Sequence, residues 1–166
     1  MSALPVCGPA SELDPKQFRQ AMSQFATGVT VITVTLPDGS FHGVTINSFN
    51  SVSLAPPLIL WSLAHSASSM AAFMAAPRYV INVLAGDQID LAQRFAGQTA
   101  GRFEQLPFTL SSQGVPVLAG TVAWFECRQR SRYPEGDHVI FVGEVERCHS
   151  HPDRTLGFHR GRFIAL

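Results

Sequence analysis

The sequence has 166 residues, of which 46% are hydrophobic and only 14% are charged, and its formal net charge is zero. This length fits a single domain, and the scattered arginines form no basic stripe, so the sequence predicts no nucleic-acid partner. No apolar run reaches the roughly 18 residues that a membrane span needs, so we expect no membrane insertion.

The charged fraction lies well below the roughly 25% of a typical soluble chain. Such a composition indicates surface that is covered in an oligomer or along a weakly polar ligand groove, and we expect a homodimer. Residues 1–13 lack a positively charged start and contain two prolines and a glycine, so they are predicted to be a disordered lead-in rather than a signal peptide. The cysteines Cys7, Cys127 and Cys148 are odd in number and widely spaced, which predicts a reducing compartment, the cytoplasm.

The first predicted element is a helix that begins at Asp14-Pro15 and ends at Gly28. An N-cap aspartate before a proline is typical of a helix start, and a glycine is typical of a helix end. Phe18, Met22 and Phe25 recur at helical spacing, so we expect this aromatic stripe to pack in the core.

After this helix the sequence predicts a mainly β domain that extends over residues 14–166. The segment 29–36 is rich in Thr, Val and Ile, and Pro37-Asp38-Gly39 supplies a turn before the returning strand. Mostly sequential strands with two or three short helices predict an antiparallel barrel with appended helices. The predicted strands are 29–36, 41–47, 58–63, 79–84, 121–130, 137–148 and 162–166, the further helices are 68–75 and one opening near Asp87, and 97–101 is a flexible loop.

A run of neutral polar side chains, residues 45–53, lies between two of these apolar strands; we call it the polar run. Its hydrogen-bonding members are Thr45, Asn47, Ser48, Asn50, Ser51 and Ser53. Polar groups at the edge of a core need partners, and a flat heterocycle such as the pyrimidine edge of a flavin supplies them. A strand with its hydroxyls in solvent gives the same pattern, so the pattern alone leaves both interpretations open.

Three serines, Ser66, Ser68 and Ser69, follow the predicted strand 58–63 at the start of a helix. Hydroxyls and free N–H groups at a helix N-terminus bind anions, so one hypothesis is a phosphate site. Ordinary N-capping by one serine is the other hypothesis.

A single histidine, His138, follows the turn 133–136 and begins an apolar strand. From there it can face a site at the mouth of the barrel and either donate to a ring carbonyl or steer a nicotinamide. The alternative is a structural histidine that is hydrogen-bonded to a turn carbonyl or to Asp137.

Other kinds of site find no support in the sequence. Cys148, His149, His151 and His159 match no zinc spacing, so no metal site is predicted. No glycine-rich nucleotide motif follows a strand, and the GxSxG motif of hydrolases is absent.

Taken in order, these segments resemble the short-chain flavin reductase family, small split-barrel proteins that include reductase components of two-component flavin monooxygenases. The most specific matches are Gly43-Val-Thr-Ile-Asn-Ser-Phe-Asn-Ser-Val-Ser-Leu54 and Gly136-Asp-His138. The resemblance extends over nearly the whole chain from Pro15 onward. The further matching segments are 18–22, 25–31, 56–57, 79–84, 87–88, 91–96, 143–145 and 158–163.

This resemblance implies an antiparallel split β-barrel of the Greek-key, FMN-binding type, a homodimer with FMN or FAD near its interface. It places the isoalloxazine along Thr45, Ile46, Asn47 and Ser48, with Ser53 nearby. The other implied cofactor contacts are Ser66 and Ser69 near the phosphate and Phe95, Ala96 and Arg102 on the far side, while His138 faces the ring where the nicotinamide stacks.

The implied activity is NAD(P)H:flavin oxidoreductase chemistry, in which NADH or NADPH donates a hydride to FMN or FAD. Reduced flavin then leaves for a separate monooxygenase. A tight FMN-binding electron-transfer or sensor protein without nicotinamide-dependent activity is the alternative, and an interaction module without flavin is a third.

Overall fold

The computed structural model describes residues 13–97 and 101–166. The predicted lead-in, apart from Leu13, and part of the predicted loop 97–101 lie outside these residues. The helices are α1 (Pro15–Met22), α2 (Met70–Ala75) and α3 (Ile89–Ala96). The strands are β1 (Thr27–Gly28), β2 (Thr30–Thr35), β3 (Phe41–Ile46), β4 (Asn50–Leu54), β5 (Pro57–Ala64), β6 (Arg78–Val83), β7 (Phe108–Leu110), β8 (Pro116–Leu118), β9 (Ala123–Glu135), β10 (His138–Ser150), β11 (Leu156–His159) and β12 (Arg162–Ala165).

Seven strands form the main sheet in the order β3-β2-β6-β9-β10-β5-β4, and all neighbours in it are antiparallel. A second sheet, β1-β11-β12, and the pair β7-β8 lie beside it. The predicted antiparallel split β-barrel is therefore confirmed. No helix among the described residues is long and apolar enough to cross a membrane.

The main core lies inside the curled sheet and is built on stacked aromatic rings. Trp61 of β5 and Phe141 of β10 stack with ring centroids 4.3 Å apart, and Phe73 of α2 packs edge-on against Trp61. All three side chains are buried. A second apolar cluster, which includes Phe95 of α3 and Leu156 of β11, joins the smaller sheet to the barrel.

The prediction that the stripe on the first helix packs in the core is wrong. Helix α1 ends at Met22 and does not extend to Gly28. Residues 27–28 instead form β1, which pairs with β11. Phe18 and Met22 are each about half exposed, and Phe25 is 69% exposed. Helical spacing shows that side chains share a face, but it does not show what covers that face.

Five short strands, β1, β4, β7, β8 and β11, are missing from the sequence prediction, and each carries too few residues for a clear alternating pattern. β4 overlaps the polar run at residues 50–53, so this part of the run is an edge strand paired with β5. The pairing shifts register between Ser51 and Ser53, so this edge strand carries an irregularity such as a β-bulge.

A buried carboxylate, Glu126 of β9, fixes the segment that links β7 to β8. It is 1% exposed and accepts hydrogen bonds from Ser111 Oγ, from Ser112 Oγ at 2.8 Å and from the Gln113 N–H at 3.1 Å. Burial raises the pKa of Glu126, but these hydrogen bonds outweigh it and leave the pKa below its ordinary value of 4.5.

Glu126→Gln is expected to lower the free energy of unfolding at pH 7 by about 1–3 kcal/mol, because the amide reproduces only part of this hydrogen bonding. A carboxyl whose pKa is lowered by folding stabilises the fold at pH values above its ordinary pKa. This stabilisation is lost as the pH falls through the pKa that the carboxyl has in the folded state. The variant should therefore approach the wild type in acid. Urea unfolding at pH 7 and at about pH 3.5, with the exposed Glu135→Gln as the control, measures this. A difference that is equal at both pH values contradicts it.

Candidate functional site

One cleft of about 830 Å³ lies where four segments distant in the chain meet. The end of α1 forms one side, the connection between β3 and β4 forms the other, and the start of β10 and the β11–β12 turn close it. Its lining residues are Arg19, Met22, Ser23, Phe25, Thr27, Asn47, Ser48, Phe49, Asn50, His138, Phe158 and Gly161.

The α1 side of the cleft is held by backbone contacts with the smaller sheet. Thr27 of β1 pairs with Phe158 of β11. The Arg160 N–H, in the β11–β12 turn, donates to the Ser23 carbonyl at 2.9 Å. These bonds place the exposed ring of Phe25 and the start of β1 against the cleft.

The opposite side is fixed by the hydroxyl of Ser48. Its Oγ donates to the Ser62 carbonyl and accepts from the Ser62 N–H, both at 3.0 Å. Ser48 therefore ties the β3–β4 connection to β5 and has used its hydroxyl within the protein. Asn47 beside it is exposed, and the ring of Phe49 packs against Phe125 with centroids 5.5 Å apart.

His138 reaches the cleft from the tight turn between β9 and β10. It pairs with Glu135 across the hairpin and with Ala64 of β5. Its Nδ1 lies 2.6 Å from Oδ1 of Asp137. This hydrogen bond, with the charge of the imidazole, lowers the pKa of the Asp137 carboxyl.

The structure thus brings Asn47, Ser48 and His138, three of the predicted site residues, into one cleft. Ile46, the neighbour of Asn47, is buried in the main core. Ser53 lies on the edge strand β4, where its hydroxyl accepts from the Ala55 N–H at 3.3 Å. The contacts of these residues with a flavin remain predictions.

A second group of predicted residues lies around α3 and is engaged inside the protein. The Thr45 hydroxyl donates to the Ala92 carbonyl at 2.7 Å. Phe95 is fully buried, and Ala96 after it is exposed. The Arg102 guanidinium donates to the Gly43 carbonyl at 2.7 Å and to the Gly97 carbonyl.

The serines that were predicted to bind a phosphate follow the end of β5. The last residue of β5, Ala64, pairs with His138. Ser66 is exposed, whereas Ser69 is buried and precedes α2 without a side-chain capping bond. The His65 N–H donates to the Asp137 carbonyl at 2.9 Å, so this turn adjoins the rim of the cleft. Their role toward a phosphate remains a prediction.

Sequence reasoning missed the α1 side of the cleft. Arg19, Phe25 and Thr27 line it, together with Phe158 from β11. The Thr27 hydroxyl oxygen is buried and has no hydrogen-bond partner among residues 13–97 and 101–166. The signal that could have revealed this side of the cleft was segment 25–31, which matches the family. The prediction instead assigned Phe25 to the core-facing stripe of the first helix.

The lining of the cleft fits a flavin. Its volume falls within the range of about 300–1,000 Å³ that is typical of small-molecule sites. Asn47 and Asn50 offer neutral amide donors and acceptors, and the unpaired Thr27 hydroxyl offers another polar group. Phe49 and Phe158 add apolar ring surface, so the cleft suits a flat heterocycle with polar edges.

Comparisons with known proteins agree with this chemistry. The model of the flavin reductase like domain matches residues 22–166. The NADH-dependent FMN reductase SmoA of Agrobacterium fabrum is 46% identical over 148 residues, which cover 89% of this chain and 84% of that protein. The solved structure of the NADH:FAD oxidoreductase SgcE6 of Streptomyces globisporus, in complex with NAD and FAD fragments, has a TM-score of 0.90 and 36% identity, covering 98% of this chain and 97% of that chain.

A further relative is named as part of a larger system. The reductase component of the flavin-dependent trigonelline monooxygenase of Acinetobacter baylyi is 40% identical over 158 residues. The match covers 93% of this chain but 51% of that protein, so this chain spans about half its length.

Proposed function

This chain belongs to the flavin reductase family and is an NAD(P)H-dependent flavin reductase, and from this premise we propose that the cleft at His138 is where it reduces FMN or FAD. The observation that carries the proposal is the convergence of Asn47, Ser48 and His138 in one cleft of sufficient volume. These residues come from the two most specific segments of the family resemblance.

The protein's part in this reaction is to bind and orient. When bound, the flavin would supply the redox chemistry, as the acceptor of a hydride from the reduced nicotinamide. Asn47 and the backbone around Ser48 would hold the polar part of the flavin ring, and Phe158 and Phe49 would exclude water from the cleft. His138 orients the nicotinamide, so catalysis comes mainly from positioning and from fixed donors.

The full chain is expected to accelerate aerobic NADH oxidation well above the protein-free rate when FMN or FAD is added. The loss of absorbance at 340 nm, measured with each pairing of two flavins and two nicotinamide nucleotides, tests this and reports both preferences. Heat-denatured protein is the control. A rate equal to the control in all four pairings contradicts the proposed function.

The reduced flavin is proposed to serve a separate monooxygenase. The support is the trigonelline monooxygenase reductase component among the relatives. A cleft whose lining is mostly uncharged, with Arg19 as its one arginine, suits a flavin that is exchanged as a substrate rather than held permanently.

Two further proposals concern assembly and compartment. A homodimer is supported by the exposed apolar side chains of α1 and of the edge strand β4, where Leu54 is 94% exposed. A second copy would cover them and would account for the low charged fraction. Cytoplasmic location is supported by the free thiols of Cys127 and Cys148.

A further inference from the structure

Asp137 and His138 form a hydrogen-bonded pair at the rim of the cleft, and the direction of that bond has a chemical consequence. Nδ1 of His138 lies 2.6 Å from Oδ1 of Asp137. An ionised carboxylate only accepts hydrogen bonds, so this contact requires a proton on Nδ1. In the neutral imidazole the opposite nitrogen, Nε2, is then an acceptor.

The backbone holds both members of the pair in place. The Asp137 carbonyl accepts the His65 N–H at 2.9 Å, and His138 is registered against Ala64 and Glu135 on its two neighbouring strands. Gly136 has a φ of 59°, which lets the hairpin turn within two residues. Only side-chain rotation can separate the carboxylate from the ring.

Asp137 is ionised at neutral pH. The hydrogen bond with His138 is the largest cause that lowers the pKa of the Asp137 carboxyl below its ordinary value of 3.8. Arg19, which lines the cleft from α1, is positively charged and therefore does not oppose the ionisation of Asp137. The carboxylate is thus available as an acceptor for Nδ1–H at neutral pH.

We propose that Asp137 is a positioning residue, which holds His138 in the Nδ1–H tautomer so that Nε2 accepts a hydrogen bond from the carboxamide N–H of the nicotinamide. This inference rests on the proposed function, which places the nicotinamide at His138. A histidine side chain without such a partner favours the Nε2–H tautomer. That tautomer presents a donor to the carboxamide and would bind its oxygen instead of its N–H.

The tautomer can be measured without any ligand by ¹⁵N NMR of the full chain with labelled histidines. In mildly alkaline buffer, His138 is expected to show a protonated Nδ1 and a bare Nε2. His138→Gln identifies the signals by their loss. Asp137→Ala should move the ring toward the Nε2–H form, and Asp137→Asn, whose amide oxygen still accepts, should largely retain Nδ1–H. A wild-type ring protonated on Nε2 overturns the proposal.

Kinetics provide the second measurement. Asp137→Ala is expected to raise the KM for NADH about fivefold, the size of one weakened hydrogen bond, with kcat and flavin affinity unchanged. Asp137→Asn should stay near the wild type. Asp38→Ala is the control, because Asp38 is another exposed turn carboxylate, accepting from the Ser40 N–H at 2.9 Å.

A double variant separates an effect through His138 from an independent one. If Asp137 acts through the imidazole, Asp137→Ala combined with His138→Ala should be no worse than His138→Ala alone. Additive losses, or wild-type kinetics in Asp137→Ala, overturn the proposal. Absence of NADH oxidation by the wild type contradicts the proposed function instead, and the NMR measurement then still decides whether the pair fixes the tautomer.

Discussion

His138→Ala is expected to raise the KM for NADH about tenfold while flavin binding stays intact. The physical reason is the loss of a hydrogen bond to the nicotinamide, since tenfold corresponds to about 1.4 kcal/mol and one hydrogen bond contributes about that much. Initial rates at saturating flavin give KM and kcat, and quenching of flavin fluorescence gives the flavin affinity.

The control for this variant is His151→Ala, because His151 is exposed and follows the far end of β10. A wild-type KM in His138→Ala would assign His138 to the structural histidines of the hairpin. An equal loss of flavin and NADH binding would place it on the flavin rather than on the nicotinamide.

Gly143→Ala is expected to destabilise the fold by about 3 kcal/mol or more. A Cβ at this position overlaps the Tyr79 hydroxyl and lies 2.9 Å from Cζ of the same ring and 3.2 Å from Cβ of Cys127. Tyr79 is 1% exposed and packs edge-on against Trp61, so it has little room to move. Overpacking a rigid core costs about 1–3 kcal/mol and sometimes more.

The same clash predicts a partial rescue. Tyr79→Phe removes the overlapping oxygen, so Gly143→Ala should cost less in that background. Gly28→Ala is the matched control, because a Cβ at Gly28 has no neighbour within 4 Å. Urea unfolding of the wild type, the two single variants, their double variant and the Gly28→Ala control measures these differences, and an unchanged transition midpoint in Gly143→Ala would contradict the prediction.

Much of the barrel could be predicted because its strands carry local signals. The segment 29–36 is rich in β-branched residues and is followed by the turn Pro37-Asp38-Gly39. Strands β2 and β3 form before and after this turn and pair with each other. The segments 121–130 and 137–148 correspond to the long strands β9 and β10. Alternation over many residues and a turn at a fixed position are properties of the chain itself.

The candidate site could be predicted only in part. The polar run and His138 stand out because neutral polar side chains and a histidine adjoin apolar strands, and Asn47, Ser48 and His138 do meet in one cleft. The partners of the Thr45 and Ser48 hydroxyls, the carbonyls of Ala92 and Ser62, are not visible in the sequence. Those bonds depend on which distant backbone groups the fold brings close.

The sequence by itself therefore determined the antiparallel barrel, the polar run and a histidine at the start of an apolar strand, because these follow from local patterning. Only the tertiary structure decided that α1 leaves its apolar stripe exposed, that Phe25 and Thr27 face the polar run across a cleft, and that Asp137 binds Nδ1 of His138. The first two depend on long-range packing and the third on side-chain geometry in a tight turn, and residue spacing along a chain specifies neither.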